Sequence, residues 1–302
     1  MIKMEHVNKS FQQFQALNDL NLTVNPGEIY GFIGKNGAGK STTMNIIAGL
    51  SKMDEGTCIV NGKDVTKIKH PHELRIGYLP ENPNFQGWLT AYETLELLMV
   101  NPQDNPKDHI LGLLRWVGLE DAKNRRVGGF SRGMKQRLGM ACALVNDPEL
   151  LIFDEPSSAL DPEGRADVLD LIMDLKQRGK TVILSTHILS DVERVCDRIG
   201  LLKDGHLILE KDLDDWMNEH NNPILDILHD GDLKPSVYDH LRQIEHVREV
   251  EATRNKIVLY LDDNAHVKAV MQEAMDGAWN IQSISLCKNT LEDLFIKEVN
   301  NQ

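Results

Sequence analysis

Cysteine is scarce: the chain has four, far apart at Cys58, Cys142, Cys196 and Cys287. No pair has metal-ligand spacing, and Cys142 lies in an apolar run. The pattern reads as small core or surface thiols, which sets aside a disulfide framework and a zinc site. No apolar run approaches 18 residues, so no helix of the membrane-spanning kind is expected. The N-terminal stretch Met1-Ile2-Lys3-Met4-Glu5-His6 lacks the apolar core of a signal peptide, and the expected location is cytoplasmic. Positive charge is also short, with 33 Lys and Arg against 46 Asp and Glu. The deficit is concentrated late: residues 210–302 hold 19 acids and 9 bases, and the remainder holds 27 and 24. Such a chain repels a polyphosphate laid along a broad surface, and no nucleic-acid partner is expected.

What is present begins at residue 34. Gly34-Lys35-Asn36-Gly37-Ala38-Gly39-Lys40-Ser41-Thr42 has glycine, four residues, Gly-Lys and a hydroxyl residue, the spacing of a phosphate-binding loop. The preceding stretch from Glu28 to Ile33 reads as a buried strand, and Thr43 to Leu50 reads as a helix closed by Gly49. A glycine loop between strand and helix can turn successive N–H groups toward phosphate oxygens, with the helix N-terminus adding partial positive charge. Lys40 is then placed for the outer phosphates and Ser41 for Mg²⁺. The implied ligand is a nucleoside triphosphate.

Along the chain, residues 1–30 read as strands and hairpins, with Phe11 an aromatic near the loop that could stack on a base. Asn61-Gly62 and Asp204-Gly205 are hairpin turns. Leu74 to Pro80 reads as a strand with Glu81 at its exit. Thr90 and Glu93 form a capping box that opens a helix to about Val100, and a second helix covers 108–118. Ser131 caps a third, to Val145, with Gly133 in its first turn. Glu149 to Phe153 is an unbroken apolar strand that ends in Asp154 and Glu155, the place where open α/β sheets hold ligands. Asp154 suits Mg²⁺ and Glu155 suits the polarisation of water. Asp161-Pro162 is a strong helix start. Thr181 to Thr186 is a further buried strand, with His187 at its end. After a polar stretch ending Asn221-Asn222-Pro223, the elements run βαββαβ, a ferredoxin-like order, and a last helix runs from Thr290 to about Val299.

This ordered set resembles the ATP-binding cassette of ABC transporters. The resemblance covers residues 1 to about 210. It implies an α/β P-loop NTPase of the ABC ATPase type over 1–220, with an inserted helical subdomain at about 82–145. A small α+β accessory domain would occupy 221–302. Carried over residue by residue, Phe11 is similar to the aromatic that stacks on adenine, and 34–42 is similar to the Walker A loop. Glu81 stands where the family usually has the Gln that touches Mg²⁺ and the membrane subunit. Ser131 and Gly133 belong to the signature, written Phe-Ser-Arg-Gly-Met in place of Leu-Ser-Gly-Gly-Gln. Asp154 and Glu155 are the Walker B pair, Asp161 is in the D-loop, and His187 is the switch histidine. Glu81 adds negative charge near the metal, and Met134 removes an amide from the signature. Both departures, and the ending Thr290-Leu291-Glu292-Asp293-Leu294-Phe295, are similar to the exporter branch with drug, ion or antibiotic-resistance roles.

The resemblance implies an Mg²⁺-dependent ATPase that works as a head-to-tail pair with a second cassette, identical or not. It also implies a separate integral-membrane permease that would hold the chain at the inner face of the cell membrane. Two other readings compete. A soluble cassette acting on ribosomes or DNA usually has two Walker A loops or a long coiled-coil insertion; here there is one loop, and Lys40 and Asp154 are only 114 residues apart (154 minus 40). A nucleotide-binding regulator without turnover would not need Glu155 and His187.

Overall fold

A computed structural model describes residues 1–100, 105–158, 160–219, 222–230, 235–276, 280–287 and 289–300. The chain forms two compact units, Met1–Leu213 and Asp214–Gln302. The division falls ahead of the break at Asn221-Asn222-Pro223 expected from the sequence; Asn221 itself lies outside the described residues.

The first unit opens with the hairpin β1 (Ile2–Phe11) and β2 (Phe14–Val24), followed by β3 (Ile29–Ile33) and α1 (Lys40–Ile47). Next come β4 (Glu55–Val60), β5 (Lys63–Asp64) and β6 (Ile76–Leu79). Three helices follow: α2 (Ala91–Leu98), α3 (Pro106–Trp116) and α4 (Arg132–Leu144). The chain then alternates through β7 (Leu150–Asp154), α5 (Pro162–Gln177), β8 (Thr181–Thr186), α6 (Leu189–Val195), β9 (Arg198–Lys203) and β10 (His206–Asp212), and α7 (Leu213–Glu219) begins at the division and belongs, past its first residue, to the second unit.

Two sheets result. One is antiparallel in the order β2-β1-β4-β5. The other has the order β10-β9-β3-β8-β7-β6, parallel from β9 to β6. The local sequence accounts for the difference. Ile2 and Met4 are buried while Lys3 and Glu5 are exposed, the alternation of a strand with one wet face. Strands β3, β7 and β8 are buried at every position, as central parallel strands must be. Asn61 and Gly62 both have positive φ (50° and 75°), as do Asp204 and Gly205 (49° and 81°), the geometry that tight hairpins require.

The helices between β6 and β7 are capped as their sequence specifies. The Thr90 hydroxyl accepts from Glu93 N at 3.2 Å, and Glu93 accepts from Thr90 N at 2.8 Å. Helix α2 ends at Leu98, just short of the expected Val100. Leu95, Ile110, Leu114 and Leu138 join Leu79 and Phe153 of the parallel sheet in one core. The parallel register sets Ile33 beside Thr186 and Asp154 beside Ser185, so β3, β7 and β8 deliver their carboxyl ends to one edge.

The second unit contains β11 (Ile224–His229), α8 (Pro235–Gln243), β12 (Val247–Ala252), β13 (Lys256–Leu261), α9 (Val267–Met275), β14 (Ile281–Cys287) and α10 (Leu291–Asn300). Its antiparallel sheet has the order β12-β13-β11-β14, the ferredoxin-like arrangement. Leu225, Ile227, Leu241, Val250, Leu259 and Val270 fill its core. Helix α9 is entered through a 3₁₀ turn at Asn264–His266, where Asp263 accepts from Ala265 N at 2.5 Å and tightens the entry. Among the described residues no helix is long and apolar enough to cross a membrane.

Candidate active site

The loop from Gly34 to Gly39 leaves β3 and enters α1. Gly37 and Gly39 have φ of 85° and 110°, and a Cβ at Gly39 would stand 2.6 Å from the Ala16 carbonyl oxygen. Only glycine fits that turn. No side chain caps α1, so its first-turn N–H groups face the loop as donors for an anion. Lys40 folds back across the loop: Nζ donates to Gly34 O at 2.6 Å and lies 3.5 Å from Glu155 Oε1.

Glu155 is held from three sides. Its Oε2 is 2.8 Å from His187 Nδ1. Its backbone N–H donates to the hydroxyl and the carbonyl of Ser185, at 2.9 and 3.1 Å. Its φ is 50°, a left-handed conformation costing on the order of 1–3 kcal/mol in a non-glycine residue, and the two bonds to β8 hold it there. The Ser185 hydroxyl also donates to Asp154 Oδ1 at 2.5 Å, so one serine fixes both acids. A cavity of about 360 Å³ is lined by Asn36, Gly37, Gly39, Lys40, Ser41 and Thr42, with Glu81, Glu155 and His187 opposite. Gly34, Lys35 and Ala38 complete the loop behind it, where Ala38 N donates to Lys35 O at 3.1 Å.

Phe14, Ala16 and Ser158 also line this cavity. Phe11 does not line it. It faces Phe14 across the hairpin, is 49% exposed, and carries the Lys9 ammonium 5.1 Å from its ring centroid.

Ser131, Gly133 and Asp161 belong to a second cleft of about 490 Å³, with Arg132, Met134 and Leu160 among its walls. Ser131 Oγ accepts from Met134 N at 3.2 Å, and Asp161 Oδ1 accepts from Gly164 N at 2.9 Å, so each caps its helix. The two clefts share no lining residue.

The ABC transporter family model matches residues 17–158, and that of the ATP-binding protein DrrA1-3-like C-terminal domain matches 212–299. An uncharacterised ABC transporter ATP-binding protein of Bacillus subtilis, YxlF, is 33% identical over 303 residues, 99% of each chain. The chain belongs to the ABC transporter ATP-binding protein family. The bacitracin transport ATP-binding protein BcrA of Bacillus licheniformis is 34% identical over 298 residues, 98% of this chain and 96% of that one. The dimeric, ADP- and Pi-bound structure of the ATP-binding cassette MJ0796 superposes with a TM-score of 0.65 at 30% identity, over 70% of this chain and 99% of that one. The fold is that of an ABC ATPase cassette, and the chain is the ATP-binding subunit of an ABC transporter.

The cassette's donors suit Mg²⁺. Ser41 is exposed at the cavity, Glu81 lines it, and Asp154 stands buried behind it. Among the described residues no three His, Cys, Asp or Glu side chains are grouped to hold a metal unaided. Sequence reasoning missed Phe14, Ser158 and Ser185. A serine inside the apolar strand Thr181–Thr186 was the signal for Ser185, but only the register with β7 reveals which acids it serves.

Proposed function

We propose that two cassettes close head to tail around two ATP molecules and that hydrolysis releases them, driving export through a separate integral-membrane permease. The observation that carries this is the separation of the two clefts. The Lys40 cavity and the Ser131 cleft share no residue, and in this reading a single chain would leave the outer phosphate open on one side. In the pair, Ser131, Gly133 and the N-terminus of α4 would cover that side from the opposite chain, with Asp161 beside them.

In this reading Lys40 and the loop N–H groups hold the phosphates, and Phe11 stacks on adenine. Glu155 orients the attacking water and takes its proton, and His187 holds the carboxylate in place. Mg²⁺, bound through Ser41, Asp154 and Glu81, would neutralise phosphate charge. The Bacillus licheniformis relative is named for bacitracin transport and a Streptococcus pyogenes relative, SrtF, for lantibiotic transport, which supports an antibiotic-type cargo. The acidic second unit would serve dimer contacts or regulation. The location would be the cytoplasmic face of the cell membrane, through the permease. The test is purification of the tagged chain from detergent-solubilised membranes, followed by an MgATP turnover assay. Recovery of an integral-membrane protein with it is expected; a chain found only in the soluble fraction, without such a partner, counts against transport.

A further inference from the structure

Three segments that carry the site's chemistry meet again behind it, at one buried carboxylate. Asp191 lies on α6, four residues past His187, and is 1% exposed. Its Oδ2 accepts from the hydroxyl of Ser157, which is 2% exposed and lies two residues past Glu155. Its Oδ1 lies 2.5 Å from both Nε and Nη2 of Arg165. Arg165 stands in the first turn of α5, the helix that Asp161 caps, and its N–H donates to Asp161 O at 2.9 Å. The same guanidinium donates to Ser190 Oγ at 2.7 Å.

A carboxylate this deep is costly unless it is fully paired, and here both oxygens are taken. Ser157 and Asp191 are buried, and neither they nor Arg165 are among the residues that line the Lys40 cavity, so the network lies behind the phosphate loop's cavity. Their effect is on the loops. The chain after Glu155, the helix after Asp161 and the helix after His187 are pinned to a common point. A shift of the Asp161 turn must therefore move the Glu155 and His187 ends with it.

We propose that Asp191, with Ser157 and Arg165, is the positioning group that ties the Asp161 turn to the Glu155–His187 pair. A partner cassette pressing on that turn would thereby set the 2.8 Å contact on which water activation depends. The inference rests on the head-to-tail reading above. It assigns the network to the chemical step and not to ATP binding, because the phosphate loop lies on β3 and α1.

The experiment uses the full chain and measures MgATP turnover, TNP-ATP binding and thermal unfolding. Asp191→Asn and Arg165→Leu are expected to lower kcat at least about tenfold while KM and the TNP-ATP Kd stay within about threefold. Arg165→Lys should recover most of what Arg165→Leu loses. Ser157→Ala should cost little more in the Asp191→Asn background, as members of one unit behave non-additively. A near-normal kcat in Asp191→Asn overturns the proposal, as does a loss shared equally by turnover and binding that Arg165→Lys fails to rescue. Should Asp191→Asn not fold, the two Arg165 variants decide. Should the wild type itself not hydrolyse MgATP, the proposed function falls, and hydrogen exchange reads the network instead. Arg165→Leu must then speed exchange at 155–158 and 187–195, and unchanged exchange overturns it.

Discussion

Lys40 Nζ lies 3.5 Å from Glu155 Oε1, with both side chains buried and the same ammonium donating to Gly34 O. The ammonium and the carboxylate thus offset each other's buried charge. In the proposed roles, phosphate oxygens would replace Glu155 as the partner of Lys40, which would leave the carboxylate to His187 and water.

Lys40→Ala is therefore expected to do two things. ATP binding should be lost, since the outer phosphates lose the ammonium proposed to hold them. The fold should also weaken by about 3 kcal/mol, the typical cost of leaving one partner of a buried pair uncompensated. Adding Glu155→Gln should restore most of the stability and none of the binding. Urea unfolding and TNP-ATP titration measure the two effects, and wild-type binding by Lys40→Ala would remove the loop assignment.

The base stack tests the hairpin. Phe11→Ala is expected to weaken ATP binding by about 1–3 kcal/mol, the worth of one stacked base. Phe14, 59% exposed on the cavity wall, is the control. A larger loss in Phe14→Ala than in Phe11→Ala would transfer the stack to Phe14.

That pair also marks where sequence reading stops. Strands β7 and β8 were legible because their apolar runs are unbroken, and the acids and His187 sit at their ends. The Thr90, Ser131 and Asp161 caps were legible because a cap needs one residue type at one spacing. Which hairpin aromatic reaches the cavity depends on shifts in the β1–β2 register, which no local pattern encodes. The contact between Ser157 and Asp191 joins residues 34 apart (191 minus 157) through the packing of α6, and the sequence shows only two ordinary polar residues there.

Alkaline stability follows from buried acids. Burial pushes the Cys58 thiol up to about 12 from an ordinary value of 9.0, and raises Tyr30 well above its usual range. For such groups the fold favours the protonated form. Their contribution is complete below the unfolded value and is lost as pH rises from there toward the folded one. Urea midpoints should hold steady from about pH 7 to 8.5 and fall above about 9, each group adding at most about 1.4 kcal/mol per pH unit. Cys58→Val should flatten the fall. An unchanged slope in that variant would mean that the thiol is not the titrating group.

The chemical step and the dimer are tested together by Glu155→Gln. The amide keeps the shape and a bond to His187 but cannot accept a proton from water, and loss of general-base help costs about 10²–10⁴ in rate. Lys40, Ser41 and Asp154 remain, so MgATP should still bind. The variant should then persist as an ATP-bound closed pair that outlives the wild-type one, seen as a dimer in sedimentation with MgATP. Ser131→Arg in the same background should return it to monomers, because a bulky cation at the N-terminus of α4 blocks the cover over the opposite chain's phosphate. The Ser131 hydroxyl is exposed and accepts a local bond from Met134 N, so this change should leave the fold intact. A Glu155→Gln chain that turns over at the wild-type rate removes Glu155 from the reaction. A trapped dimer that survives Ser131→Arg removes the head-to-tail arrangement instead, and the two failures are told apart by reading turnover and sedimentation on the same samples.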